Sequence, residues 1–334
     1  MSNRTASRPR KIFALFTIRE LPALAILLVS IVWLSLTRPA FRSIDNLTAV
    51  GQDAAFVGIL ACGEALVILT GGIDLSVAAN LAMSGCVAGM MMIAGVAWPL
   101  AVVAALAVAG LGGLVNGVLI TYRRLPPILV TLATWFIFRS IISIVTHSRN
   151  YAPFPNSFAN LGGGNLPFVV FVLVVIGLAL MTLRTRFGRR VIAIGGSETA
   201  SELSGLPVDA IKRRVYLIAG LCAGLSALLM MARNNNVESS VASGYELHAI
   251  AAVVVGGVRL SGGEGTILGA ALGAAIYAVL HDALILYGQR AELYGLITGA
   301  IILAAAFGEV LRRRVEESKY KAANIAVTGE TASK

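Results

Sequence analysis

Nine apolar runs of about the length that crosses a hydrocarbon layer, ~20 residues, lie at 21–37, 54–70, 77–94, 97–121, 126–146, 167–183, 215–232, 266–286 and 293–308. Each predicts a spanning helix. A tenth run, Ala249–Val258, holds only ten residues. At ~1.5 Å rise per residue, a helix of that length covers about half the layer. The pattern predicts an all-α polytopic membrane protein of about ten transmembrane helices. The first run follows a basic start (Arg4, Arg8, Arg10, Lys11, Arg19), as a signal peptide would. No small-x-small cleavage site closes it, so it reads as a retained first helix.

Charge orients the spans, because cytoplasmic loops carry an excess of Lys and Arg. With the N-terminus inside and ten crossings, 21 of the 27 basic residues face the cytoplasm, leaving Arg38, Arg42, Arg139, Arg149, Arg233 and Arg290 outside. Nine crossings would put Arg312-Arg313-Arg314 outside. The short run therefore reads as a crossing completed by non-helical backbone through Gly256-Gly257. Such backbone survives at membrane depth only when buried in protein or lining a wet cavity. Both termini are then cytoplasmic. The chain divides into a segment 1–20, a membrane region 21–308 with a cytoplasmic loop 184–214 inside it, and a basic tail 309–334.

Composition narrows the function. Hydrophobic residues make up 57% and charged residues 13%, against about 25% charged in soluble domains. A soluble or disordered chain is excluded. The net charge of +10 belongs to loops that set topology, so it does not imply nucleic-acid binding. Cys62, Cys86 and Cys222 lie in apolar runs without metal-ligand spacing. His147, His248 and His281 are widely separated. The sequence has no G-x-x-x-x-G-K-[ST] phosphate loop and no identifiable Ser/His/Asp set. The chain is not expected to act alone as an enzyme, and no cofactor is expected on it.

Gly71-Gly72-Ile73-Asp74-Leu75-Ser76 is echoed by Gly256-Gly257-Val258-Arg259-Leu260-Ser261, each after an apolar run. Matched interruptions in the two halves of a transporter mark its central site. The copies run in the same direction, which makes the repeat parallel; chance similarity in a Gly/Leu/Ser-rich chain is the other reading. Asp74 and Arg259 hold equivalent places with opposite charge. Either they pair with each other, or each sits at the cytoplasmic water boundary. Glu64 lies mid-span, where facing a cavity competes with simple burial. Arg139 can snorkel to the outer interface, and His281-Asp282 can be wetted near the outer end. Gly110 to Gly117, and Gly269 with Gly273, allow close helix approach. Asn116 either hydrogen-bonds across helices or touches a polar substrate. The second, third, eighth and ninth helices are expected to line one cavity. Thr70, Asp74, Ser76 and Asn80 are its candidate polar residues, with Glu64 behind them.

In the loop, Ser197 can cap a short helix, with Glu198 and Glu202 near its positive end. Gly205 can end it, and Pro207 follows. Such a helix has no membrane face to bury. Docking on a soluble partner and a solvated linker are the two readings.

The chain resembles the permease subunits of bacterial ABC importers for monosaccharides, the ribose-type branch, over about 45–308. The residues that carry the resemblance are Leu69-Thr70-Gly71-Gly72-Ile73-Asp74-Leu75-Ser76 and Asn116-Gly117 with Pro126-Pro127-Ile128-Leu129-Val130-Thr131-Leu132. Arg186-Phe187-Gly188-Arg189 to Ala193-Ile194-Gly195-Gly196, Ser204-Gly205-Leu206-Pro207-Val208 and Tyr245-Glu246-Leu247-His248 through Gly256-Gly257 to Gly262-Gly263-Glu264-Gly265-Thr266 complete it. Two departures stand out: Ala78-Ala79-Asn80 where the family usually has Gly-Ser, and His248 where it usually has Asp.

The resemblance implies a permease in the bacterial inner membrane without its own ATPase. A second permease chain, identical or a paralogue, a cytoplasmic ATP-binding subunit that uses ATP, and a periplasmic sugar-binding protein would complete the importer. The 197–208 segment would be the coupling helix, with Arg189, Ser197, Glu198, Thr199, Ala200, Glu202, Leu203 and Gly205 meeting the ATPase. An ion-coupled secondary sugar carrier is the alternative; the poverty of mid-membrane carboxylates argues against it. A membrane scaffold would give no reason for broken helices.

Overall fold

The computed structural model describes residues 20–290, 292–304, 306–308 and 310. The terminal segments 1–19 and 311–334, with most of the expected basic tail, lie outside the described residues. Every apolar run carries a helix. They are α1 (Leu21–Thr37), α2 (Ile44–Leu69), α3 (Val77–Ile93), α4 (Trp98–Arg123), α5 (Pro127–Thr146), a short α6 (Asn156–Ala159) and α7 (Leu166–Arg184). Then come α8 (Arg186–Gly196), α9 (Glu198–Leu203), α10 (Val208–Asn234), α11 (Tyr245–Val255) and α12 (Ile267–Leu286). An apolar helix over Glu292–Gly308 follows. Six of these, α2, α4, α5, α7, α10 and α12, are long and apolar enough to cross a membrane, while α1, α3, α11 and Glu292–Gly308 are apolar but shorter.

Local chemistry sets the ends. Ser43 Oγ accepts from Asn46 N at 3.2 Å, and Thr266 Oγ1 accepts from Gly269 N at 3.0 Å; these hydroxyls satisfy donors that open α2 and α12. Proline stands in the first turn of α1, α4, α5 and α7, where its missing N–H costs nothing. α4 and α5 stop at Arg124 and His147, both in the left-handed region at φ 52° and 50°.

α2 is the axis of the bundle. Its apolar window is 94% buried, against 28% for α5 and α7, whose outward faces carry exposed residues such as Leu173 and Ile144. Around α2 pack α7, α10, α11 and α12, and α4 lies against α3 and α10. Glycine makes these approaches possible. A β-carbon on Gly113 of α4 would lie 2.1 Å from the Tyr216 carbonyl oxygen, and one on Gly220 of α10 would lie 2.3 Å from that of Ala109. On the other seam, Gly273 leaves no room before the Ala252 oxygen, at 1.9 Å, and Gly269 none before that of Gly256, at 2.2 Å. The expected close approaches at Gly110–Gly117 and at Gly269 with Gly273 are thus present.

Three differences from the sequence reading have physical causes. α2 starts ten residues before its apolar run, because Ser43 caps it and its polar residues Asn46, Gln52 and Asp53 bond to other helices. The short run becomes an eleven-residue helix that begins at Tyr245 and ends at the Gly256-Gly257 turn, with Gly257 at φ 83°. α8 was not foreseen; it is amphipathic, burying Gly188, Val191 and Ile194 while Arg186 and Arg189 face out.

At one end of the bundle the two echoed turns meet. Gly263 N donates to Leu69 O at 3.1 Å, and the C-terminus of α8 is wedged beside them. A β-carbon on Gly195 would lie 1.9 Å from Leu69 O and 2.3 Å from Gly263 N. The opposite end is closed by the 147–165 and 235–244 segments, which pair between Tyr151 and Val237.

Gly273→Val should destabilise the purified protein in detergent by about 1–3 kcal/mol, the usual cost of overpacking. Gly177→Ala, in open space on α7, should be neutral or stabilising by up to about 1 kcal/mol. Unfolding midpoints of the two variants check this; equal midpoints would refute the glycine seam.

Candidate functional site

The turn between α2 and α3 holds four of the six residues singled out for the path in one buried network. Asp74 N donates to Glu64 Oε1 at 2.9 Å. Asp74 Oδ1 accepts from Ser76 N at 2.8 Å and from Ser76 Oγ at 2.6 Å. Asn116, reaching from α4, donates through Nδ2 to Ser76 Oγ at 2.7 Å. From α5, Thr131 Oγ1 donates to Ile73 O at 3.0 Å. Asn80 lies one turn into α3 and donates to Ala109 O at 2.9 Å, its amide set against Gly112. Thr70 bonds within its own helix end, to Val67 O at 2.8 Å, and stands apart from the network.

All six side chains are buried. Asp74 is therefore not at a wet boundary. Nor does it pair with Arg259, whose guanidinium lies 3.4 Å from Glu264 Oε1. The turn leaves Gly71 exposed but directs Asp74 inward, where it serves the turn's own backbone, while Arg259 stays beside its own turn. Among the described residues, Glu64 Oε2, Asn80 Oδ1, Asn116 Oδ1 and the Tyr216 hydroxyl are buried without a hydrogen-bond partner. Leaving such groups unmet costs about 1–3 kcal/mol each, which marks the place as more than packing. Tyr216, on α10, was missed by sequence reasoning; its hydroxyl lies 2.7 Å from where a β-carbon of Gly72 would stand. A lone Tyr in an apolar run gives no signal in the sequence.

Arg139 is half-buried. It donates through Nη1 to the carbonyls of Ser239 and Val241 at 2.6 and 2.9 Å, holding the 235–244 segment against α5. His281 and Asp282 differ from each other. Asp282 is buried and accepts from Asn46 of α2 at 2.9 Å. His281 is 40% exposed and lies 3.4 Å from Asp53, whose other oxygen meets Arg233.

The loop residues form the third feature. Ser197 Oγ accepts from Ala200 N at 3.2 Å and starts α9, as its spacing predicted. Gly205, at φ 75°, carries the chain past its end. Two ion pairs unforeseen from sequence fix α9 to the bundle: Glu198 with Lys212 of α10 at 2.6 Å, and Glu202 with Arg124 at 3.6 Å. Thr199 and Ala200 are exposed, and Leu203 stands out with 86% of its surface free. Arg189 is exposed on α8 beside it. A groove of about 330 Å³ runs between α9 and the α4–α5 junction, lined by Thr121, Pro126, Glu198, Thr199 and Lys212 among others. No group of three or more His, Cys, Asp or Glu able to hold a metal occurs among the described residues.

Ser76→Ala and Asn116→Ala should each destabilise the protein, and the double variant should cost less than their sum. Coupling of about 0.5–3 kcal/mol is expected for groups in one network. A double-mutant cycle on unfolding midpoints measures it; additive losses would refute the network.

Comparison with known proteins now bears on these features. The model of the family described as branched-chain amino acid transport system / permease component matches residues 46–306. The chain is 36% identical over 314 residues to the ribose import permease protein of Escherichia coli strain K12, covering 91% of this chain and 98% of that one. It is 35% identical to the Bacillus subtilis ribose import permease protein, covering 84% and 89%. It is also 33% identical to the L-arabinose ABC transporter permease protein of Azospirillum brasilense, covering 86% of each. No solved structure matches the chain. A polytopic helical bundle with a projecting loop helix and a match along nearly the whole membrane region thus place the chain in the permease component family, in its ribose-type branch of bacterial ABC sugar permeases.

Proposed function

We propose that this protein is the membrane-spanning subunit of an ABC importer that carries a monosaccharide or related small polyol-like solute across the bacterial inner membrane. Its relatives import ribose, allose, fructose and arabinose. The observation that carries the reading is mechanical. α9 presents Leu203 on an exposed outer face. The α8 terminus beside it is wedged at Gly195 between Leu69 and Gly263, at the roots of both broken helices. A push on α9 reaches both turns through backbone contact.

In this reading α9 is the coupling helix, and the chain divides as its charges suggest. Segment 1–20 and tail 309–334 are cytoplasmic, the permease domain is 21–308, and 184–214 is its coupling loop. The ten apolar helices make ten crossings, with both termini inside. ATP is bound and hydrolysed on a cytoplasmic subunit rather than on this chain, and a periplasmic binding protein delivers the sugar. The bundle pairs with a second permease chain, a copy or a paralogue. The path runs past Glu64, Thr70, Asp74, Ser76, Asn80 and Asn116. The network of Glu64, Asp74, Ser76 and Asn116 is closed in this conformation; rocking of α2 against α3 opens it, and the spare acceptors of Glu64, Asn80 and Asn116 then meet sugar hydroxyls.

Cysteines introduced at Leu203, which is exposed, and at Ala332, outside the described residues, should label only from the cytoplasm, and one at Asn160 only from the periplasm. Periplasmic labelling at 332 would overturn the ten-crossing arrangement.

Vesicles holding this chain, its ATP-binding subunit and its binding protein should take up sugar with ATP and not with an ion gradient. Glu198→Lys, which faces Lys212 with a second cation, and Gly205→Pro, which cannot adopt φ 75°, should each cut uptake at least tenfold at normal insertion. Normal uptake in both would refute the coupling role, and gradient-driven uptake would refute the importer.

A further inference from the structure

At the end of the bundle opposite the coupling loop, rings gather that the sequence scatters. The chain has only 8 Tyr and 3 His, yet three of the first and two of the second form one cluster. His248 of α11 lies 5.2 Å from Tyr277 of α12 and 4.8 Å from Tyr294 of the last helix, between ring centres. Tyr294 meets His281 at 4.8 Å, and Tyr245 closes on His248 at 5.2 Å. His281 leads to Asp53 of α2, and Asp53 to Arg233 of α10. Five helices therefore contribute to one constellation of rings, carboxylate and guanidinium.

The constellation is open on one side. Side chains of Asp53, Arg233 and His281 are 31%, 28% and 40% exposed, while Tyr277 is fully buried behind them. His248 Nδ1 is buried without a hydrogen-bond partner among the described residues. Ionisable side chains inside membrane segments are costly and mark pathways. Ring packing alone would be served by Phe, of which the chain has 12; the cluster uses Tyr and His, which keep polar edges.

Its chemistry selects a class of ligand. Opposite charges sit side by side at Asp53 and Arg233, so neither a lone cation nor a lone anion is favoured. A carboxylate accepts and a guanidinium donates several hydrogen bonds, and ring faces pack against C–H surface. A neutral ring with C–H faces and hydroxyl edges satisfies all three.

The cluster also has a place in the path. Asp53 and Glu64 are eleven residues apart, three turns of α2, on one face and about 16 Å from each other. Between them on that face stand Val57 and Leu60, both buried. An apolar plug thus separates this cluster from the buried network around Asp74.

We propose that Asp53, Arg233, His248, His281 and Tyr294 form a recognition station for a neutral monosaccharide within the permease itself, upstream of the plug, adding its own selectivity to that of the binding protein. The inference rests on the sugar-import reading above.

The test uses the full complex in liposomes with ATP, the binding protein, and ribose, arabinose, allose and fructose as probes. His248→Asp and Tyr294→Phe should change the ratios of uptake among these sugars at least threefold. A uniform fall across the panel, as from a merely structural role, or unchanged ratios would overturn the station. A second measurement needs no variant. A diazirine-bearing ribose, photolysed in the unmodified complex, should label peptides containing His248 or Tyr294, and excess ribose should suppress the label. Labelling confined to other parts of the permease would overturn the proposal. Absence of ATP-dependent uptake of every probe by the unmodified complex would instead refute the import reading.

Discussion

Polar groups buried in an apolar bundle must find partners inside the protein, since no water reaches them. The 70–76 turn is where this constraint is sharpest. Its helix has ended, its polar side chains Thr70, Asp74 and Ser76 are buried, and the echoed glycine turn meets it. Glu64 receives the N–H of Asp74, Asp74 ties Ser76, and Asn116 and Thr131 reach in from α4 and α5. Four elements are thereby held around one turn. Its geometry requires the glycines and small side chains that let α8, α10 and the 256–266 segment come so close.

The same economy of space makes the bundle a mechanical object. Where a β-carbon has no room, as at Gly113, Gly195 and Gly273, neighbouring backbones are in direct contact and shift together. α9 is fixed by its ion pairs to Lys212 and Arg124, so load on its exposed face enters α10 and the end of α4. These helices border the buried network. A bundle of long apolar side chains would yield at each contact; backbone contact transmits displacement with little slack.

Polar residues along α2 divide into two stations. Asn46 and Asp53 meet α12 near one end, and Glu64 serves the turn near the other. Val57 and Leu60 keep them apart. In the proposed path a solute moving along this face would have to part this apolar stretch. Aromatic and charged groups upstream, and spare acceptors downstream, suit a ligand rich in hydroxyls better than an ion.

Much of this was legible in the sequence. Apolar run length predicted the helices, Ser197 and Gly205 predicted α9, and the doubled Gly-Gly motifs predicted two interruptions, because each rests on interactions within a few residues. The gathering of Glu64, Asp74, Ser76 and Asn116 was half legible: their types and their place near a break were visible, their hydrogen bonds to one another were not. Partner choice across the fold was not legible at all. Asp74 and Arg259 could have paired and do not, whereas Asp53 and Arg233, 180 residues apart, are a pair. Arg139 holds two carbonyls of a segment a hundred residues away, which no local pattern announces. Hydrophobic periodicity tells which face of a helix turns inward, but not which helix will be opposite. That second fact comes from the glycine seams and the turns that set helix neighbours, and so only the tertiary structure decided it.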